Sequence, residues 1–272
     1  MKIGIRTHDG SEDKLLYAQQ VGVQGGSIWL SAIPEYEEKG YADVAPMLKL
    51  RESFEKYDLT LNAAGLGAKV IKNQLLGLPG RDREIDNVCK TLRNMGEAGI
   101  PIVIIDQRIT YWAQGADYGP ERTGYASLPV GRGGTRLTTF DAARIRADEA
   151  PAGQVSRSEC WDRILYFYER IVPVAEGAKV KLATHPDDPP MPHYRGVDQV
   201  LNRFDGFKRL TEAYPSPYNG LLLCMGTMKE SGEDVLAGVR HFCERKLVFY
   251  VHYRNVRPPG GHGSLFGNTM TP

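Results

Sequence analysis

The chain has 272 residues, 42% of them apolar and 25% charged, with a formal net charge of +1. That length suits a single domain with one large core, and α/β barrels commonly occupy about 250 residues. The near-neutral charge, without a basic run, argues against nucleic acid or an acidic membrane as partner, and no apolar stretch nears the roughly 18 residues of a membrane span.

In chain order, Met1-Lys2-Ile3-Gly4-Ile5 enters directly into a strand-like pattern with no signal-peptide core, so the expected compartment is the cytoplasm and the expected partner a small molecule. Assembly into a homo-oligomer is left open. Short β-rich runs predict strands at Lys2–Arg6, Gly26–Leu30, Leu59–Ala64, Ile102–Asp106, Val180–Thr184, Gly220–Cys224 and Leu247–His252. Between them lie amphipathic stretches. Ala42 to Tyr57 carries Val44, Met47, Leu48, Leu50 and Phe54 on one face, and Asp82 to Gly96 repeats Ile85, Val88, Leu92 and Met95. Arg163 to Ala178 places Ile164, Leu165, Tyr168, Ile171, Val172 and Ala175 ahead of a closing glycine, Gly177. Strands alternating with helices predict a parallel α/β sheet, here a TIM-type (β/α)8 barrel with seven strands apparent and the eighth βα unit missing.

Residues 108–158 interrupt the alternation with a long, polar, glycine-containing segment that carries Tyr111, Trp112, Tyr118 and Tyr125. A segment this long and irregular, leaving the chain at the end of the fourth strand, reads as a substrate-covering excursion. Residues 257–272 read as an irregular Gly/Pro-rich tail.

The four cysteines do not form a disulfide-like pattern. Cys89 and Cys243 fall in helical stretches and are expected to be small buried hydrophobes. Cys224 closes a strand, as do His185, directly after Val180–Thr184, and His252. In a parallel barrel the C-terminal strand ends converge on one face, where active sites are assembled. Three soft or borderline ligands at equivalent places on successive strands therefore predict a shared divalent metal such as Mn²⁺, Fe²⁺, Co²⁺ or Zn²⁺, held by two imidazoles and a thiolate.

The stretches HPDDPP at 185–190, SPYNGLLLCMGTM at 216–228, VHYRNV at 251–256 and LLGLPGRDREIDNVCKTLRNMGEAGIP at 75–101 resemble the mannonate dehydratase family. That resemblance implies a barrel of the xylose-isomerase-like superfamily. It also implies a divalent metal, usually Mn²⁺, and dehydration of the sugar acid D-mannonate to 2-keto-3-deoxy-D-gluconate. By motif, the family's metal ligands fall on His185, Cys224 and His252, the same three residues that the strand ends select. A metal chelated by the sugar-acid carboxylate and a neighbouring hydroxyl would acidify the C2 proton ahead of loss of the 3-hydroxyl as water.

Arg6, read as the end of the first strand, and Arg254, beside His252, are candidates to bind the substrate carboxylate. Asp187 is the candidate catalytic group, contacting substrate or orienting His185 through its second nitrogen, while Asp188 is read as a turn former. His193 lies outside the ligand set.

Two stretches that would line the pocket, AAGLGAKVIKN and IDQRITYWAQG, depart from the family pattern. The family's fourth metal ligand, an aspartate on the eighth strand, has no counterpart after His252, and the expectation is that the chain is a fragment. His262 sits in the glycine-rich tail and is not taken as a substitute. The competing functions are a metal-dependent sugar isomerase or epimerase on the same barrel, or an inactive remnant that binds sugar or metal.

Overall fold

The computed structural model of the chain describes residues 2–109, 125–128, 137–145 and 150–256. Each expected strand forms, displaced by no more than two residues: β1 (Gly4–His8), β2 (Gly25–Trp29), β3 (Thr60–Gly65), β4 (Ile102–Asp106), β7 (Lys181–His185), β10 (Asn219–Cys224) and β11 (Val248–His252). They form a seven-stranded sheet in the order β1-β2-β3-β4-β7-β10-β11, and the register of β1 with β2, β2 with β3, β3 with β4 and β7 with β10 is parallel. Continuous apolar runs make such strands because a parallel sheet is covered on both faces. All six residues of β10, NGLLLC, are buried. The fold is α/β, of the TIM-barrel type.

The chain divides into two compact units. The first comprises Met1–Asp106, Leu165–Thr184 and Ala213–Leu221. It holds β1 to β4 with the helices α1 (Glu12–Gln20), α2 (Tyr36–Lys39), α3 (Val44–Glu55), α4 (Lys72–Leu76) and α5 (Arg81–Ala98), and most of α6 (Arg157–Ala178). Helix α5 shows why the periodic pattern was informative: Ile85, Val88, Leu92 and Met95 are at most 1% exposed on a single stripe. The helix ends at Gly99, whose φ of 73° is the left-handed conformation that glycine adopts without strain, and the Ile100 amide closes back on the Met95 carbonyl at 2.9 Å. Gly65 lets β3 come up against the Trp29 ring, where an added Cβ would lie 2.3 Å away.

The second unit comprises Gln107–Ile164, His185–Glu212 and Leu222–Pro272. It holds the short strands β8 (His193–Tyr194) and β9 (Val197–Asp198), the helices α7 (Phe204–Ala213), α8 (Met225–Glu230) and α9 (Val235–Glu244), and β11. Asp234 caps α9 by accepting a hydrogen bond from the Ala237 amide at 3.0 Å. Within the long excursion the described residues include an antiparallel hairpin, β5 (Tyr125–Leu128) with β6 (Leu137–Phe140), so the segment is not irregular throughout. Tyr111, Trp112, Tyr118, the side chain of Tyr125, His262 and the tail 257–272 lie outside the described residues.

Two expectations need correction. Arg6 does not end the first strand: Thr7 and His8 continue it, across a register shift between Arg6 and His8. Cys89 is buried as expected, but Cys243 is exposed on α9, because the helix turns Gly238 and Phe242 inward instead. Among the described residues no helix is long and apolar enough to cross a membrane.

Candidate metal centre

His185, Cys224 and His252 are the last residues of β7, β10 and β11, and all three belong to the second unit. One ligand atom from each lies within 4.8 Å of the other two. The imidazole rings of His185 and His252 have centroids 5.3 Å apart, and Tyr250 stands edge-on to His252 at 5.7 Å. Ligand atoms roughly 2.0–2.3 Å from one ion lie at most about 4.6 Å from each other, so the trio matches a shared ion with no more than small side-chain adjustments.

The surroundings suit that role. His185 Nδ1 is 2.7 Å from the Pro186 carbonyl, to which it donates its hydrogen, so the lone pair resides on Nε2. The backbone of its own loop is thus a partner that orients this ring. Cys224 is 1% exposed, and the Thr227 hydroxyl donates to its sulfur at 3.1 Å. Burial pushes the Cys224 thiol above its ordinary pKa and the charge of Asp188 adds to this, while Arg254 and the Thr227 hydrogen bonds oppose it. A cation at the trio reverses that balance, since a coordinated thiol is held as thiolate. By donor type, spacing and tautomer, the three residues present fit a divalent metal.

The loop 186–190 is held by Asp187, which is 6% exposed. Its Oδ2 accepts a hydrogen bond from the Leu201 amide at 2.7 Å, and its own amide donates to the Leu201 carbonyl at 3.1 Å. The carboxylate that faces the charged groups after the other two ligand strands is Asp188. Arg254 Nη1 donates to Asp188 Oδ2 at 3.1 Å, and Arg254 Nη2 lies 2.6 Å from Glu230 Oε2. Arg108 adds a hydrogen bond to the Asp188 carbonyl at 3.1 Å. Glu230 is 7% exposed, and burial, then the charge of Asp188, push its carboxyl up to about 7 against the opposing effect of Arg254.

Sequence reading assigned turn formation alone to Asp188 and missed Glu230 altogether. A glutamate six residues beyond a strand-end cysteine carries no recognisable spacing signal, and its partner Arg254 is 24 positions further on. Arg6 is exposed in the first unit, with its guanidinium 5.2 Å from the centroid of the Trp29 ring. His193 pairs with Asp198 at 2.8 Å on the β8–β9 hairpin, apart from the ligand set.

The fold and the two-imidazole, one-thiol trio define a metal-dependent α/β enzyme of the TIM-barrel type. The model of the family described as D-mannonate dehydratase (UxuA) matches residues 131–269. Mannonate dehydratase from Thermotoga maritima is 29% identical over 287 residues, covering 96% of this chain and 78% of that protein. Mannonate dehydratase from Streptococcus uberis is 30% identical over 245 residues, covering 82% and 69% respectively. The solved structure of mannonate dehydratase from Streptococcus suis serotype 2 superposes with a TM-score of 0.79 at 25% identity, covering all of this chain and 75% of that one. The chain belongs to the D-mannonate dehydratase family, and so to the hydro-lyases.

Proposed function

We propose that this chain dehydrates D-mannonate to 2-keto-3-deoxy-D-gluconate and water, with a divalent metal, preferentially Mn²⁺, held by His185, Cys224 and His252. The observation that carries the reading is the convergence of these three side chains at three strand ends in a member of this family. When bound, the ion would supply a Lewis acid for the substrate carboxylate and the adjacent hydroxyl, which makes the C2 proton easier to remove.

The chain's own residues prepare for this. The Pro186 carbonyl keeps the hydrogen of His185 on Nδ1 and leaves Nε2 available as a donor. Burial of Cys224 excludes water from the sulfur, and the Thr227 hydroxyl fixes its orientation. Asp187 holds the loop that follows His185 through its contacts with Leu201. The overall change balances without an oxidant or reductant: a proton leaves C2, hydroxide leaves C3, and the enol so formed becomes the keto acid.

The test is an incubation of the purified chain with D-mannonate and Mn²⁺, read by colorimetric detection of 2-keto-3-deoxy acid and by metal content. His185→Ala and Cys224→Ala should lose metal and turnover together, and His193→Ala should retain both. Full metal occupancy in both ligand variants would overturn the ligand assignment. Turnover of D-mannonate to an epimer instead of a keto acid would overturn the reaction.

A further inference from the structure

Charged residues follow each metal-ligand candidate along the chain, and one from each stretch meets the other two. Asp188 lies three positions after His185, Glu230 six after Cys224, and Arg254 two after His252. These three close on one another through the Arg254 guanidinium, at 3.1 Å to Asp188 and 2.6 Å to Glu230. The carboxylate side chains are 16% and 9% exposed and that of Arg254 36%, so the contacts are partly shielded from the water and salt that make surface ion pairs weak.

The backbone is shaped for this arrangement. An added Cβ at Gly226, in the first turn of α8, would lie 2.3 Å from Arg254 Nε and 3.0 Å from its Cγ, so the arginine lies where only a glycine leaves room. A neighbouring contact, from Lys229 Nζ to Asn255 Oδ1 at 3.2 Å, joins the same two segments.

We propose that Glu230 is a positioning residue for the metal centre: with Asp188 it grips the Arg254 guanidinium over Gly226 and so locks together the segments that carry His185, Cys224 and His252. The proposal rests on the reading of those three residues as metal ligands. Each ligand comes from a different strand and is followed by a different loop or helix start, whereas a working site needs its ligands placed to within about 0.5 Å. A guanidinium presents a rigid fork of donors, and here two arms of that fork join two segments to the third. Arg254 thereby acts as an internal clasp, its fork committed to protein carboxylates and not to the carboxylate of a substrate. Two carboxylates against one guanidinium also leave negative charge beside a site built for a dication, which favours the cation.

The experiment uses Co²⁺ as probe on the full chain at pH 8, with affinity read by calorimetry and ligand geometry by the visible absorption of the bound ion. Glu230→Gln removes the charge at nearly constant volume. Gly226→Ala displaces Arg254 and leaves every charge in place. Both should weaken Co²⁺ binding at least about tenfold, as loss of groups that orient metal ligands typically does, and both should shift the absorption bands while the far-ultraviolet circular dichroism stays that of the parent. Affinity within about twofold and an unchanged spectrum in both variants would overturn the inference and leave the metal reading intact. A parent protein that binds no Co²⁺ would overturn the two together. Should Glu230→Gln fail to fold, Gly226→Ala carries the same two outcomes.

Discussion

Asp187 invites the most direct test, because its chemistry suggests catalysis and its geometry suggests a strap. Its carboxylate is 6% exposed and accepts the Leu201 amide at 2.7 Å, 14 residues away. Asp187→Ala removes a hydrogen bond to a charged acceptor, worth about 1.5–3 kcal/mol, and leaves the Leu201 N–H without that partner in a buried place, so the expected loss is about 3 kcal/mol. For a chain of this size, each kcal/mol lowers the melting temperature by roughly 2–4 °C, which predicts a fall of roughly 6–12 °C. Asp187→Asn keeps an acceptor oxygen and should lose about half as much. Thermal unfolding followed by circular dichroism, with Mn²⁺-dependent dehydration measured well below the transition, separates the two roles. A strap loses stability and keeps most of its turnover number. Melting within about 1 °C of the parent, combined with a turnover number down a hundredfold or more, would refute the strap and restore Asp187 as the catalytic group.

Two further outcomes follow from burial. The Glu230 carboxyl is raised to about 7 by desolvation first and by Asp188 second, so the folded chain holds that proton more tightly than the unfolded chain does. Its contribution to stability is therefore present at pH below the ordinary glutamate value and declines as pH rises through about 7. Urea unfolding of the metal-free protein at pH 5, 6, 7 and 8 should show the parent losing stability relative to Glu230→Gln over that range, and a constant difference would contradict it. Among the thiols, Cys243 is exposed, Cys89, Cys160 and Cys224 are buried, and burial pushes the Cys160 thiol up to about 12. Brief alkylation of the native chain with iodoacetamide, read by mass spectrometry, should label Cys243 first and the other three only after denaturant is added. Early labelling of Cys160 would contradict the packing that lets it donate to the Asp198 carbonyl at 2.9 Å.

Much of the fold was legible in the residues themselves. Short apolar runs such as Gly-Leu-Leu-Leu-Cys and Ile-Val-Ile-Ile-Asp suit strands of a covered parallel sheet by their length and flanking polar or Gly/Pro-rich sequence, and the periodic stripe on 81–98 suits a helix. The ligand set was legible for a related reason: parallel strands bring their C-terminal ends to one side, so His185, Cys224 and His252 could be paired by position along their strands without knowing a single distance. Tertiary structure alone decided what the side chains between those markers do. Asp187 and Asp188 are neighbours of the same type, yet one turns to the Leu201 amide and the other to Arg254, a division that depends on how the loop is folded against those segments. Cys89 and Cys243 sit on similar helices, and which of them is buried depends on the face each helix turns inward. Glu230 and Gly226 acquire meaning only from Arg254, a residue more than twenty positions away, since an ion pair and a close approach are properties of two segments folded together and are written in neither one.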